Sequence, residues 1–134
     1  MAIPHSVLVV DDEADIRQIL LCVLAPVCEV LAAADGTEAL RLIRSRRPGL
    51  LLLDVAIPGM SGLDLLAAAR WLDPSLLVVM LTGEHDLAVA KRALDAGARA
   101  YITKPFEQRA LRDEIARLLE DIAPVPDRPW RVLT

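Results

Sequence analysis

The sequence predicts an α/β protein, a doubly wound parallel sheet built from five strand–helix units joined by right-handed crossovers. Three observations predict it. Apolar runs end abruptly in polar residues: Val7–Val10 runs into Asp11 and Asp12, Leu50–Leu53 into Asp54, and Leu76–Leu81 into Thr82. Such short, continuous apolar runs read as strands buried on both faces. Between them lie segments whose apolar residues recur at helical spacing, and Pro, Gly and Asp residues punctuate the joints.

The elements follow in order. The first strand covers about Ser6–Val10. Ile16, Ile19, Leu20, Val23 and Leu24 repeat as one helix face, and Pro26 marks its stop. A short strand covers about Cys28–Ala32. Asp35-Gly36-Thr37-Glu38 supplies a turn and a helix cap, and that helix ends near Arg47, before Pro48-Gly49. The strand closing at Asp54 comes next. Ser61-Gly62-Leu63-Asp64 matches a capping box and opens a helix to about Leu72. Asp73-Pro74-Ser75 turns into the strand that closes at Thr82. Leu87, Ala90 and Leu94 mark a fourth helix, stopped by Gly97. Arg99–Thr103 is the last strand, and Pro105 suits the first turn of the final helix. Leu111, Ile115, Leu118 and Ile122 give that helix one apolar face.

Composition bounds the rest. At 134 residues the chain fits one domain, taken here as residues 1–122, able to bury a real core. Residues 123–134 change character: Pro124, Pro126 and Pro129 forbid helix, so this segment is a Pro-rich tail or the start of a linker. Hydrophobic residues make up 54% and aromatics only 3%, so the core must be Leu, Val, Ile and Ala. A net charge of −4 argues against direct nucleic-acid binding by this domain. No apolar stretch is long enough to span a membrane, and the amino terminus lacks a signal-peptide pattern; a cytoplasmic protein is expected. Cys22 and Cys28 show no CxxC spacing and read as reduced thiols in or near the core. Trp71 reads as cover for the edge of its helix, and His5 and His85, without ligand spacing, as surface residues.

Asp54 carries the chemistry of the reading. A carboxylate at the end of a buried strand is costly unless a cation compensates it. In open parallel sheets the carboxyl edge of the strands is also where ligands bind. Asp11, Asp12, Asp54, Thr82 and, further on, Lys104 would meet at that rim. Each has an ordinary alternative role: acids at a helix start, a strand-end threonine, a solvated lysine. Their order and spacing, each at a strand end, favour a shared site.

These residues resemble the receiver domain of bacterial response regulators. The resemblance rests on Asp11-Asp12, Asp54 followed by Pro58-Gly59-Met60 and Gly62, Thr82-Gly83, Gly97-Ala98, Tyr101 and Lys104-Pro105-Phe106, and covers about Ser6–Ile122. It implies a flavodoxin-like sheet of order 2-1-3-4-5 with five helices. It implies a phosphoacceptor signalling domain rather than an enzyme acting on other molecules. Asp54 would take a phosphoryl group from a sensor histidine kinase or a phosphotransfer protein. Mg²⁺ would be held directly by Asp12 and Asp54, mainly through water by Asp11, and by the backbone carbonyl of Ala56. Lys104 and Thr82 would hold phosphoryl oxygens, and Tyr101 would act with Thr82 as the switch. A partner, a second copy or an output domain would then bind the face made by the fourth helix, the fifth strand and the fifth helix. Arg109, Arg112, Asp113 and Arg117 are the candidate contacts on the last of these.

Two positions depart from the family's usual pattern, Ala56 and Glu84; the resemblance implies that they would flank the phosphoryl group and tune its lifetime. An aspartyl-nucleophile phosphatase would carry a second Asp at position 56. A flavin carrier would carry a Gly/Ser/Thr-rich phosphate loop where Asp11-Asp12-Glu13 stands. A docking module of receiver fold that works without phosphorylation is the remaining alternative; it would normally have lost an acid or the lysine.

Overall fold

The computed structural model describes residues 2–3, 5–57, 59–83, 87–122 and 125–126. Strands and helices alternate: β1 Ser6–Val10, α1 Ala14–Leu24, β2 Glu29–Ala33, α2 Gly36–Arg46, β3 Leu50–Asp54, α3 Gly62–Leu72, β4 Leu77–Gly83, α4 Leu87–Asp95, β5 Ala100–Lys104 and α5 Gln108–Glu120. The five strands form one parallel sheet in the order β2-β1-β3-β4-β5. The expected order is thereby borne out. Ala2–Ile3 and Val125–Pro126 form a separate two-residue antiparallel ladder.

Alternation along the strands explains both cores. Successive side chains point to opposite faces of a sheet. Val7, Val9, Leu50, Leu52, Val79 and Leu81 therefore share one face, where Leu20 and Leu24 of α1 and Leu111, Ile115 and Leu118 of α5 cover them. Leu8, Val10, Leu51, Leu53, Val78 and Met80 share the other, beneath Ala39 and Ile43 of α2, Leu65, Leu66 and Ala69 of α3 and Ala93 of α4. Val7–Val10 of β1 and Leu50–Leu53 of β3 must be apolar because both faces are covered, which is why they read as unbroken runs.

Element ends show where local chemistry rules. The Asp35 carboxylate accepts from the Glu38 amide at 2.9 Å and starts α2. Arg47 closes that helix in the left-handed conformation, φ 49°, just before Pro48. Ser61 caps α3 by accepting from the Asp64 amide at 3.1 Å. β2, β4 and β5 lie one residue further along than the sequence pattern suggests. Pro105 does not sit in the first turn of α5. It follows a cis peptide bond, and the helix starts at Gln108 behind a Glu107 cap whose carboxylate accepts from the amides of Arg109 and Ala110. Ile122 packs on the core from beyond the end of that helix.

α4 differs most from its expected pattern. Ala90 and Ala93 are buried, whereas Leu87 and Leu94 are 51% and 36% exposed. The helix meets the sheet through small residues, so its larger apolar side chains fall on the outer face. Cys22 is exposed, contrary to the expectation of a thiol in or near the core; Cys28 is half-buried, its thiol pushed up to about 11 by burial. Both are free. Trp71 is 84% exposed rather than covering its helix edge. His5 is half-buried, its imidazole set against Gly49. Glu84 and His85 lie outside the described residues.

Gly62 joins the fold to the site. A Cβ there would lie 2.8 Å from both the Cα and the carbonyl oxygen of Val55 and 3.2 Å from the carbonyl oxygen of Asp54. Its amide donates to that Val55 oxygen at 3.2 Å. The first turn of α3 is thus seated on the backbone that carries Asp54. Gly62→Ala is expected to destabilise the fold by about 1–3 kcal/mol, because backbone must shift to admit the methyl group. Urea unfolding checks this; an unchanged midpoint would show that the contact relaxes freely.

Candidate functional site

The same alternation that builds the two cores gathers the polar residues. Along β1, Val7, Val9 and then Asp11 share a face; along β3, Leu50, Leu52 and Asp54 share it. Val10 pairs with Leu53, so Asp11 and Asp54 stand one step beyond that pair on adjacent strands. On β5, Ala100 and Ile102 belong to this face, and Lys104 follows two residues later. Two carboxylates and one ammonium therefore leave the sheet at one edge and on one side. Thr82 follows Val78 and Met80 instead, so it reaches the same edge from the opposite face.

Lys104 bridges the acids. Its Nζ donates to Asp11 Oδ2 at 2.9 Å and lies 3.3 Å from Asp54 Oδ2. Asp11 and Asp54 are buried, and the Lys104 side chain is only 22% exposed. Asp54 Oδ1 accepts from the Ala56 amide at 3.2 Å. Asp11 Oδ1 accepts from the Glu13 amide at 2.9 Å, and the Asp11 carbonyl accepts from Arg17 Nη1 at 2.8 Å. Asp12 is exposed.

The electrostatics are those of a crowded acidic rim. Burial raises the Asp54 pKa, and the neighbouring Asp11 charge raises it further; Lys104 and the Ala56 amide pull it back only in part. Burial alone would lower the Lys104 pKa, yet its hydrogen bond to Asp11 and the charges of Asp54 and Asp11 leave it raised. Lys104 is firmly a cation here.

Two features suit the site to ligands. Asp11, Asp12 and Asp54 bring one carboxylate oxygen each within 4.8 Å of one another. An all-oxygen, all-anionic donor set fits a hard divalent cation. The Thr82 hydroxyl is fully buried and has no hydrogen-bond partner among the described residues. An orphaned buried hydroxyl costs about 1–3 kcal/mol, so a polar group arriving at the rim would gain a ready donor.

The expected site residues lie at or beside this edge, except Tyr101. Asp11, Asp54 and Lys104 are in direct contact, Asp12 completes the acidic cluster, and Ala56 engages Asp54 through its amide. Tyr101 pairs in register with Met80 on the face of Thr82; it lies away from the acids and is 41% exposed. The residue that sequence reasoning passed over is Arg17. A lone cation among α1's polar positions looks like a solvated one; only its return to the Asp11 carbonyl marks it out.

The likenesses to known proteins follow the same span. A family model described as the response regulator receiver domain matches residues 7–116. The DNA-binding response regulator MtrA of Mycobacterium tuberculosis is 36% identical over 131 residues, covering 97% of this chain and 56% of the relative. The chain thus spans about half the length of such relatives. Sporulation initiation phosphotransferase F of Bacillus subtilis is 32% identical over 116 residues, 86% of this chain and 94% of that protein. Among solved structures, the receiver domain of NtrX from Brucella abortus aligns with a TM-score of 0.81 at 38% identity, covering 85% of this chain and 98% of that one. A CheY-like receiver domain protein from Methanospirillum hungatei aligns with a TM-score of 0.83 at 34% identity, covering 89% and 96%. Sheet order, matched span and sequence likeness agree, and the chain belongs to the response regulator receiver domains of two-component signalling, whose phosphoacceptor role its acidic rim fits.

Proposed function

We propose that Asp54 accepts a phosphoryl group from a sensor histidine kinase or phosphotransfer protein, in a reaction that requires Mg²⁺. The observation that carries this reading is Lys104, held between two buried carboxylates at a strand edge where the Thr82 hydroxyl is unpaired among the described residues. An Asp54 oxygen attacks phosphorus, the phosphorus–nitrogen bond of the phosphohistidine breaks, and a mixed anhydride forms on Asp54. Asp11, Asp12, Asp54 and the carbonyl of Ala56 would hold Mg²⁺, which supplies charge neutralisation between carboxylates and phosphoryl oxygens. Lys104 would exchange a carboxylate for a phosphoryl oxygen, a task suited to a point charge on a flexible stem. Thr82 would donate its hydroxyl to another. The domain so described promotes its own phosphorylation and dephosphorylation and is not an enzyme for other substrates. Its setting would be the cytoplasm, with residues 123–134 as a tail or linker.

Signal output would pass through Thr82 and Tyr101. As Thr82 moves to the phosphoryl oxygen, space opens on the face it shares with Tyr101, whose ring would turn inward. The exposed Leu87, Leu94 and Tyr101 support α4-β5-α5 as the surface that a second copy or an output domain would cover. MtrA is described as DNA-binding; this domain would bind no nucleic acid directly and would regulate an attached or separate output.

Three outcomes are expected. Incubation with acetyl phosphate and Mg²⁺ adds one phosphoryl mass to the intact chain; EDTA prevents it and Asp54→Ala abolishes it. An unchanged mass, or equal labelling of Asp54→Ala, overturns the assignment.

The second outcome concerns stability against pH without metal. The fold raises the Asp54 pKa, so it favours the protonated form. That contribution is present below the ordinary carboxylate pKa and is lost as pH rises through the raised value. In EDTA, Asp54→Asn should therefore melt above the parent at neutral pH, and the gap should close on acidification. A parent that melts higher at neutral pH contradicts the electrostatic account.

The third is spectroscopic. Beryllofluoride with Mg²⁺ should shift NMR signals of Thr82, Tyr101, α4 and α5. Shifts confined to the acidic rim would show that the signal leaves elsewhere.

A further inference from the structure

We propose that Arg17 is a positioning residue for the metal-binding loop, acting through the Asp11 peptide. The inference rests on the divalent-metal reading of the acidic rim. Beyond β1 the Asp11 carbonyl has left the sheet and precedes the helix, where a backbone acceptor needs a partner from elsewhere. Arg17 Nη1 supplies it at 2.8 Å. Helical side chains lean back towards the helix amino terminus, so a residue one and a half turns into the loop–helix segment can reach the strand end.

This bond completes a lock. The Asp11 amide donates to the Ala33 carbonyl at 3.2 Å, Oδ1 accepts from the Glu13 amide at 2.9 Å and Oδ2 from Lys104 at 2.9 Å. Every polar atom of Asp11 is held. α1 has no side-chain cap: Glu13 occupies the N-cap position without a capping hydrogen bond. The bonds from the Glu13 amide and from Arg17 to Asp11 instead tie the loop to the start of α1, and they do so on the residue whose neighbour, Asp12, must place its carboxylate near Asp54. With Arg17 fixed, the peptide between Asp11 and Asp12 has one orientation, and Asp12 is pre-aimed at the cluster. Without it the acids are free to spread apart under mutual repulsion.

Charge alone predicts the opposite of positioning. A guanidinium close to a cation site repels the cation, so its removal should tighten metal binding. Positioning predicts weaker binding. Isothermal titration of Mg²⁺ into the metal-free chain separates them. Arg17→Met is expected to weaken affinity by roughly 10- to 100-fold, the usual effect of losing an outer-shell partner. Arg17→Lys, which keeps the charge and one donor, should fall between the two. A metal-independent readout accompanies it: the Glu13 amide, held on Asp11, should exchange with solvent faster in Arg17→Met without metal. Parent-like affinity and exchange in Arg17→Met overturn the proposal, and so does tighter binding. Should Arg17→Met not fold, a folded Arg17→Lys of parent affinity overturns it equally, and a weakened one supports it. A parent that binds no Mg²⁺ overturns the metal reading itself, and this inference with it.

Discussion

The repulsion among Asp11, Asp12 and Asp54 is the constraint around which the rest is arranged. Carboxylates at the end of an apolar sheet, two of them buried, cannot be held together by packing. Lys104 holds them by reaching both Asp11 and Asp54 from the far edge of the sheet. The chain separation matters: the cation comes from β5 and the acids from β1 and β3, so the bridge forms only when the sheet is complete. Its partners raise the lysine's affinity for its proton, while burial and crowding leave Asp54 a reluctant anion. A site in that condition gains from any added positive charge.

The fold supplies a rigid base for this tension. β1 and β3 are apolar on both faces and sealed between α1 and α5 on one side and α2, α3 and α4 on the other. The close seat of Gly62 on Val55 ties the helix after β3 to the peptide that bears Asp54. The tie between Arg17 and Asp11 does the same for the helix after β1. Both acid-bearing strand ends are thus pinned by the first turns of the helices that follow them. On the far side, α4 buries its alanines and shows its leucines outward, and Tyr101 is exposed as well. Between that surface and the acidic rim stands Thr82, the buried hydroxyl without a partner among the described residues.

Much of this was legible in the chain itself. Apolar runs that end in Asp54, in Asp11-Asp12 and in Thr82 define strands and their polar ends, because a strand covered on both faces tolerates a charge only where it leaves the core. The caps at Asp35 and Ser61 were equally readable, since each is a contact within four residues. Errors clustered where local pattern competes with packing. Pro105 suits a helix start by its own geometry, yet the Glu107 carboxylate caps α5 two residues later. Leu87 and Leu94 mark an apolar stripe by spacing, but the residues of α4 that are buried are Ala90 and Ala93.

The sequence by itself determined the fold class, the strand ends and the identity of the polar residues that collect there, because each depends on short-range periodicity and on the cost of burying charge. Only the tertiary structure decided which of them touch. Parity of the pleat and the register of Val10 with Leu53 put Asp11 beside Asp54 and on the side that Lys104 reaches. The same parity sends Thr82 to the other face with Tyr101. Arg17 was invisible as a site residue for the same reason: its partner is a backbone carbonyl, which no residue type announces, and only the folded loop brings the two together.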